Sequence, residues 1–187
     1  MRFDLVAAGL NVAPLLHSIE ARPHLWDEIT VRQDYPGSAH RDTRCIWVRG
    51  PLEITEHSVF NDLVAVDYPA VGALGSPLRT LLDDVQRLTQ AREIGRVLIV
   101  SLAPGGAIDR HRDEGAYAGH YSRVHVPLQS DAGNLFEVED EVEHMQPGEL
   151  WWFNHRREHE VRNDSYRERW HVIVDLVADR FGTPEVL

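Results

Sequence analysis

The chain has 187 residues, 43% of them hydrophobic and 26% charged, proportions ordinary for one soluble globular domain with a sizeable core. A net charge of −11 disfavours nonspecific binding to nucleic acid or anionic membranes, and no apolar run approaches the roughly 18 residues that a membrane-spanning helix needs. All 19 basic residues are arginine, which excludes chemistry that needs a lysine amine: the Walker-type phosphate loop, Schiff-base catalysis and the ATP-anchoring lysine of kinases.

The N-terminal stretch MRFDLVAAGLNVAPLL is interrupted by Asp4 and Asn11 and lacks the order of a signal peptide, so it is read as part of the fold. Residues 11–20 read as a helix with Asn11 as its cap and Pro14 in the first turn. CIWVR (45–49) reads as a strand. Its Cys45 is the single cysteine, which leaves no intramolecular disulfide and no CxxC zinc site, and the expected location is cytoplasmic. Ser76-Pro77 predicts a helix start, followed at helical spacing by a core-facing stripe of Leu78, Leu81, Leu82, Val85 and Leu88.

From Arg96 onward the pattern turns to β. VLIVSL (97–102) is a buried-strand run ended by Pro104-Gly105-Gly106, and RVHVPL (123–128) alternates polar and apolar residues. A hairpin is expected around Glu139-Asp140, then strands at ELWWF (149–153) and RWHVIVDLV (169–177). The acidic run 137–143 reads as a solvated hairpin face. The expected architecture is one mostly β domain: a mixed α/β part over 1–95, and a sandwich or barrel over 96–178 with the earlier helix packed outside.

Eleven histidines are present, and His17, His24, His57, His120 and His144 sit among polar or mixed neighbours as expected surface residues. The triplet H-R-D occurs twice, at 40–42 and 111–113; the missing lysine removes the kinase reading from both copies. In a strand, His-x-Asp turns an imidazole and a carboxylate to one face, and two histidines with one carboxylate form the facial arrangement of non-haem Fe(II) oxygenases. Taken alone, the triplet suits either copy. Only the second is followed by Arg123-Val124-His125, then His159, then Arg169, the donors a dicarboxylate beside a metal would need.

Residues from about 97 to 176 resemble the aspartyl/asparaginyl β-hydroxylase family of Fe(II)/2-oxoglutarate dioxygenases, including bacterial proline hydroxylases. The matching pieces, in order, are PG-x-x-I-x-x-H-x-D, R-x-H, GE-x-W-x-F, H-x-V-x-N and R-x-H-x-x-x-D. The resemblance implies a double-stranded β-helix (a jelly roll or cupin-like barrel) with supporting helices from the N-terminal half. It implies Fe(II) held by His111, Asp113 and His159, with 2-oxoglutarate and O2 as cosubstrates. Arg169 matches the position that pairs with the distal carboxylate of 2-oxoglutarate, and Arg123 with His125 the pair near its metal-proximal carboxylate. The activity implied is hydroxylation of an unactivated C–H bond of an amino acid, free or within a peptide, coupled to decarboxylation of 2-oxoglutarate to succinate.

His155 competes with His159, but the spacing to Arg169 and the following Val161 and Asn163 favour His159. Ser101 lies one residue out of register with a serine that animal members use. Of Trp151 and Trp152 at least one should be core, because adjacent strand residues face opposite ways. His171 and Asp175 match the family pattern with either a structural or a functional role. Arg32, Arg44 and Arg49 are candidates to meet a substrate carboxylate, with surface ion pairing as the ordinary reading. Two rivals stay open: a cupin-like metal isomerase or lyase, and a non-catalytic barrel that binds a small acid or a partner protein. The complete triad and both arginines, Arg123 and Arg169, argue against them.

Overall fold

The computed structural model describes residues 1–182. In chain order the first half contains β1 (Phe3–Ala7), α1 (Ala13–Glu20), α2 (Val31–Asp34), β2 (Thr43–Gly50), α3 (Glu56–Asn61), β3 (Val66–Asp67) and α4 (Pro69–Thr89). There follow β4 (Glu93–Leu102), β5 (Ala107–His111), α5 (Gly115–His120), β6 (Ser122–Gln129) and β7 (Asn134–Val138). The last strands are β8 (Glu141–Glu143), β9 (Leu150–Phe153), β10 (His159–Asn163) and β11 (Arg169–Val177).

A seven-stranded sheet in the order β1-β9-β6-β11-β4-β2-β3 faces a four-stranded sheet in the order β5-β10-β7-β8, and every strand pair is antiparallel. This is the double-stranded β-helix. The large sheet is buried on both faces. Val97, Ile99, Val124, Val126, Val172 and Val174 pack against Leu15 and Ile19 of α1 and Leu78, Leu81 and Val85 of α4. The alternate residues of β4 and β11, including Leu98, Val100 and Ile173, turn to the other face. That double burial is why VLIVSL reads as an unbroken apolar run. Between the sheets a second core joins Phe3, Trp151 and Phe153 of the large sheet to Ile108, Phe136, Val138 and Val161 of the small one.

The alternation of RVHVPL has an unusual sense. Its valines face the helices, and its polar residues point between the sheets, where His125 lies edge-on to Phe136 and Phe153. On β11, Arg169 extends over the ring of Phe136 in the same interior. Polar residues on the inner face of a sheet need a reason to be there.

Several expectations need correction. α1 begins at Ala13 with Val12 as its cap residue and no side-chain cap, so Asn11 lies outside it. The helix expected from Ser76 is the second segment of α4, which begins at Pro69 and breaks at Gly75 (φ 61°, ψ −138°). β5 ends at His111, so Asp113 is not on the strand. α2, α3 and α5 are four to six residues long, too short for an apolar period to reveal. The N-terminal stretch supplies β1, which pairs with β9 with Phe3 opposite Phe153. Among the described residues no helix is long and apolar enough to cross a membrane.

Candidate metal centre and its cavity

β5 and β10 are antiparallel neighbours, and their register sets His159 directly opposite His111. The two rings lie 4.2 Å apart between centroids. Asp113 joins them from beyond the strand end, where its backbone N–H donates to the carbonyl of His155 at 3.0 Å. One donor atom from each of His111, Asp113 and His159 falls within 4.8 Å of the other two. Cross-strand register brings the histidines together, and a turned chain end adds the carboxylate.

Both imidazoles are oriented by the backbone. His111 Nδ1–H donates to the carbonyl of Asp109 at 2.7 Å, and His159 Nδ1–H to that of Arg157 at 2.9 Å. Each Nε2 is thereby left as the lone-pair nitrogen, and that of His111 is buried without a protein partner. Burial lowers the His159 pKa to about 4, so the ring is neutral near pH 7. Burial alone would raise the pKa of Asp113, but Arg123 and the nearby histidines outweigh it and hold the carboxyl well below the usual range. Two neutral imidazoles and one carboxylate are the protonation states a divalent ion requires.

Arg123 is fully engaged. Its Nη1 donates to Asp113 Oδ2 at 2.5 Å, while Nε and Nη2 donate to the two oxygens of Asp175 at 2.7 and 3.1 Å. Burial opposes its charge, but the two carboxylates raise its pKa above the ordinary arginine value. The bidentate grip on Asp175, which is 2% exposed, fixes the guanidinium, and the guanidinium fixes Asp113. The resemblance puts Arg123 beside a cosubstrate carboxylate; here three of its nitrogens are already taken up.

Arg169 is the opposite case. It is 2% exposed, donates from Nη2 to His171 Nδ1 at 2.9 Å, and has no carboxylate partner among the described residues. Burial pulls its pKa down to about 9, which leaves it charged at neutral pH. His125 stands beside it with Nδ1 3.4 Å from His171 Nδ1, and the Nε2 atoms of His125 and His171 are buried without partners. Burial and the charge of Arg169 push both histidines well below their ordinary pKa, so both are neutral. A buried, uncompensated guanidinium flanked by unpartnered imidazole nitrogens fits an anionic group that the described residues do not supply. The donor set at the triad fits iron, and this second set fits a dicarboxylate such as 2-oxoglutarate.

Asn163 holds this region in place. It is fully buried, donates to the carbonyls of Leu102 and Arg167, and accepts from Ser165. It thereby ties the turn before Arg169 to β4.

A cavity of about 400 Å³ opens beside the triad. His111, Asp113, Arg123 and Asp175 line one side of it, whereas His159, His125 and Arg169 do not border it. The far wall is the segment 31–42, which runs along the outer edge of β5. There Asp109 N–H donates to the carbonyl of Ala39 at 3.0 Å, Ala107 N–H donates to Asp42 Oδ2 at 3.2 Å, and Arg41 pairs with Asp109. Covering an edge strand in this way satisfies its free backbone groups. It also lays the first H-R-D against the second: His40 meets the His111 ring edge-on at 4.8 Å. Asp42 is spent on the edge strand and takes no part in the donor cluster.

The other expected positions separate clearly. Arg44 and Arg49 pair with Asp27 and Asp67, away from the cavity, but Arg32 lines it and has no ion pair among the described residues. His17, His24, His57 and His120 are exposed; His144 is half-buried with its Nε2 enclosed, which corrects its surface reading. His155 donates from Nε2 to the carbonyl of Ala118 and is not in the donor cluster. Trp151 and Trp152 fill cores on opposite faces of the large sheet. Ser101 sits opposite Trp170 in register and donates to Glu168 at 3.0 Å, turned away from Arg169.

Sequence reasoning missed Trp47, Arg96 and Tyr117, which also line the cavity. Arg96 donates to the carbonyls of Ser58 and Asp62 at the end of α3 and lies 3.5 Å above the ring of Tyr117 in α5. A charged residue at the head of the buried run RVLIVSL was the available signal. Gly115 opens α5 at φ 91°, and a Cβ there would collide with the carbonyl oxygen of Phe60, so α5 closes on α3 only with glycine at that position.

The chain is a jelly roll with a His-Asp-His donor cluster that could hold a metal ion, and comparison with solved structures gives the same fold. A prolyl hydroxylase from Trichoplax adhaerens, in complex with a hypoxia-inducible-factor peptide, superposes with a TM-score of 0.56 at 16% identity, covering 95% of this chain and 84% of that one. The viral collagen prolyl hydroxylase of Paramecium bursaria Chlorella virus-1, solved as a 2OG complex, gives 0.52 at 11% identity over 95% and 96%. Residues 72–179, more than half of the chain, match the profile of the aspartyl/asparaginyl beta-hydroxylase family, and the chain belongs to that family. A curated relative, the L-proline cis-4-hydroxylase of Rhizobium meliloti (strain 1021), is 26% identical over 113 residues. That alignment takes in 58% of this chain and spans 40% of the relative's length.

Proposed function

We propose that the protein is an Fe(II)/2-oxoglutarate-dependent dioxygenase that hydroxylates an unactivated C–H bond of an amino acid, free or within a peptide. The convergence of His111, Asp113 and His159 on one point, with every protonation state suited to a metal, carries the reading. The uncompensated Arg169 supports the choice of 2-oxoglutarate, because its buried charge calls for a carboxylate. Bound iron would supply oxygen activation: one atom of O2 goes to the substrate as hydroxyl, the other to succinate, and 2-oxoglutarate loses CO2.

The chain's own residues have narrower tasks. His111, Asp113 and His159 would hold the metal and leave positions open for the cosubstrates. Arg123 would keep Asp113 ionised and aimed. Arg169, with His125 and His171 beside it, would bind and orient 2-oxoglutarate, and the cavity would orient the substrate C–H bond.

Anaerobic addition of Fe(II) and 2-oxoglutarate should produce the visible charge-transfer band of their chelate. In the Arg169→Ala variant the half-saturating 2-oxoglutarate concentration should rise by roughly 10- to 100-fold, the loss of about 1.5–3 kcal/mol expected for a hydrogen-bonded charge. Absence of the band from well-folded protein would falsify the oxygenase reading.

A further inference from the structure

We propose that Arg32 and His40 form a carboxylate-binding subsite in the cavity, and that the substrate is oxidised as a compound bearing a free carboxylate. The proposal rests on the oxygenase reading and adds a substrate class to it.

Arg32 donates from Nη2 to His40 Nε2 at 3.2 Å, while its Nη1 is buried with no partner among the described residues. An arginine keeps its charge in a protein, so this nitrogen is an unsatisfied charged donor. Because Nε2 of His40 accepts from Arg32, the ring proton sits on Nδ1, and that Nδ1 is likewise buried and unpartnered. Two enclosed donors on this pair of cavity-lining residues are therefore left with no acceptor among the described residues. Leaving them so costs free energy that a bound anion recovers.

The chain's own carboxylates do not fill the role. Of the acids lining the cavity, Asp113 and Asp175 are held by Arg123 and Asp109 by Arg41, while Glu56 and Glu114 lie on the wall without pairing with Arg32 or His40 among the described residues. The 2-oxoglutarate side does not fill it either, because Arg169 and His125 lie outside this cavity. Arg32 and His40 are a separate anion site, and the edge-on contact of His40 with His111 puts that site one ring away from a metal ligand.

The rest of the cavity fits a small organic acid. At about 400 Å³ it lies in the range of small-molecule pockets, and Tyr35, Trp47, Phe60 and Tyr117 give it apolar surface. A residue in mid-peptide presents a neutral carbonyl in place of the α-carboxylate and would leave the guanidinium uncompensated. An α-carboxylate and an aspartyl or glutamyl side-chain carboxylate share the required chemistry, so the test separates them.

The experiment uses the anaerobic Fe(II)–2-oxoglutarate complex and a panel of the twenty free amino acids, their α-amides, and N-acetylated α-amides. Two signals are read: the change in the chelate band on addition, and substrate-stimulated succinate release in air with mass analysis of the product. At least one free acid should alter both signals, and its fully capped form neither unless its side chain is itself a carboxylate. Response to an α-amide only when the side chain is acidic would assign the subsite to a side-chain carboxylate. In Arg32→Ala the half-saturating concentration of the responding acid should rise at least tenfold, with 2-oxoglutarate affinity unchanged; Arg32→Lys should recover part of the loss. Thermal melting and the chelate band verify that each variant is folded. If the chelate forms but no free acid perturbs it, or if capped and free forms of an amino acid without an acidic side chain respond alike, the inference is wrong while the oxygenase reading stands. If no chelate forms, the oxygenase reading fails and takes this inference with it.

Discussion

On the barrel side of the cavity, Arg123 lies on a strand flanked by β9 and β11 and is bound to both Asp113 and Asp175. On the other side, Arg32 lies in the four-residue α2, its one side-chain partner is the neutral ring of His40, and one nitrogen has no partner. The same residue type thus does two different jobs within one site. Where both ends of a guanidinium are satisfied, it acts as a girder and sets the direction of another side chain. Where an end is left open in an enclosed space, it acts as a receptor. The distinction follows from partner counts, because burial is common to both.

The comparison predicts unequal losses when each wall is cut. The largest falls on the donors themselves: His111→Ala or Asp113→Ala should abolish succinate formation, while His40→Ala keeps the metal. Metal content after anaerobic desalting checks this, and loss of iron from His40→Ala alone would exchange the roles of the two H-R-D triplets. Next comes the girder. Asp175→Asn removes the charge that grips Arg123 and should weaken Fe(II) affinity by roughly 10- to 100-fold, as loss of a metal ligand's supporting partner typically does. An unchanged affinity in an anaerobic titration would disconnect Asp175 from the centre.

The smallest effect is in pH. His125 and His171 on the barrel side are both held well below the ordinary value of 6.5 by burial and by Arg169. The unfolded chain therefore binds more protons than the folded one below about pH 6.5, and stability should fall as the pH drops through that range. Each histidine contributes a slope of at most about 1.4 kcal/mol per pH unit. Melting of the metal-free protein between pH 7 and pH 4 measures the slope, and His171→Gln should flatten it. A steeper slope in that variant would remove His171 from the account.

The legibility of the sequence divides along the same line. The barrel wall could be read because strands impose order: VLIVSL, RVHVPL and RWHVIVDLV each announce themselves, and their inward polar residues stand out at fixed spacing. The segment 31–42 has no period, and its position depends on backbone bonds to β5 that no local pattern encodes. Arg32 could therefore be named only as one of three candidate arginines, and only the folded chain separates it from Arg44 and Arg49. The His-x-Asp rule named two of the residues that come together, but for an incomplete reason, since strand alternation stops at His111 and the carbonyl of His155 completes the geometry. α5 and α3, which close the cavity through Arg96 and Gly115, left a trace only as a charged residue at the head of an apolar run.

The attachment of segment 31–42 to the outside of β5 has a practical meaning. The segment lies outside the residues matched by the family profile and contributes no strand to either sheet. Its backbone bond from the Ala39 carbonyl to β5 does not depend on the side chains of Arg32 and His40, whereas Arg41 and Asp42 hold the same strand through theirs. On the proposed reading, substrate choice therefore rests on a part outside the barrel, and a library confined to this stretch with Arg41 and Asp42 kept is the direct route to altered selectivity.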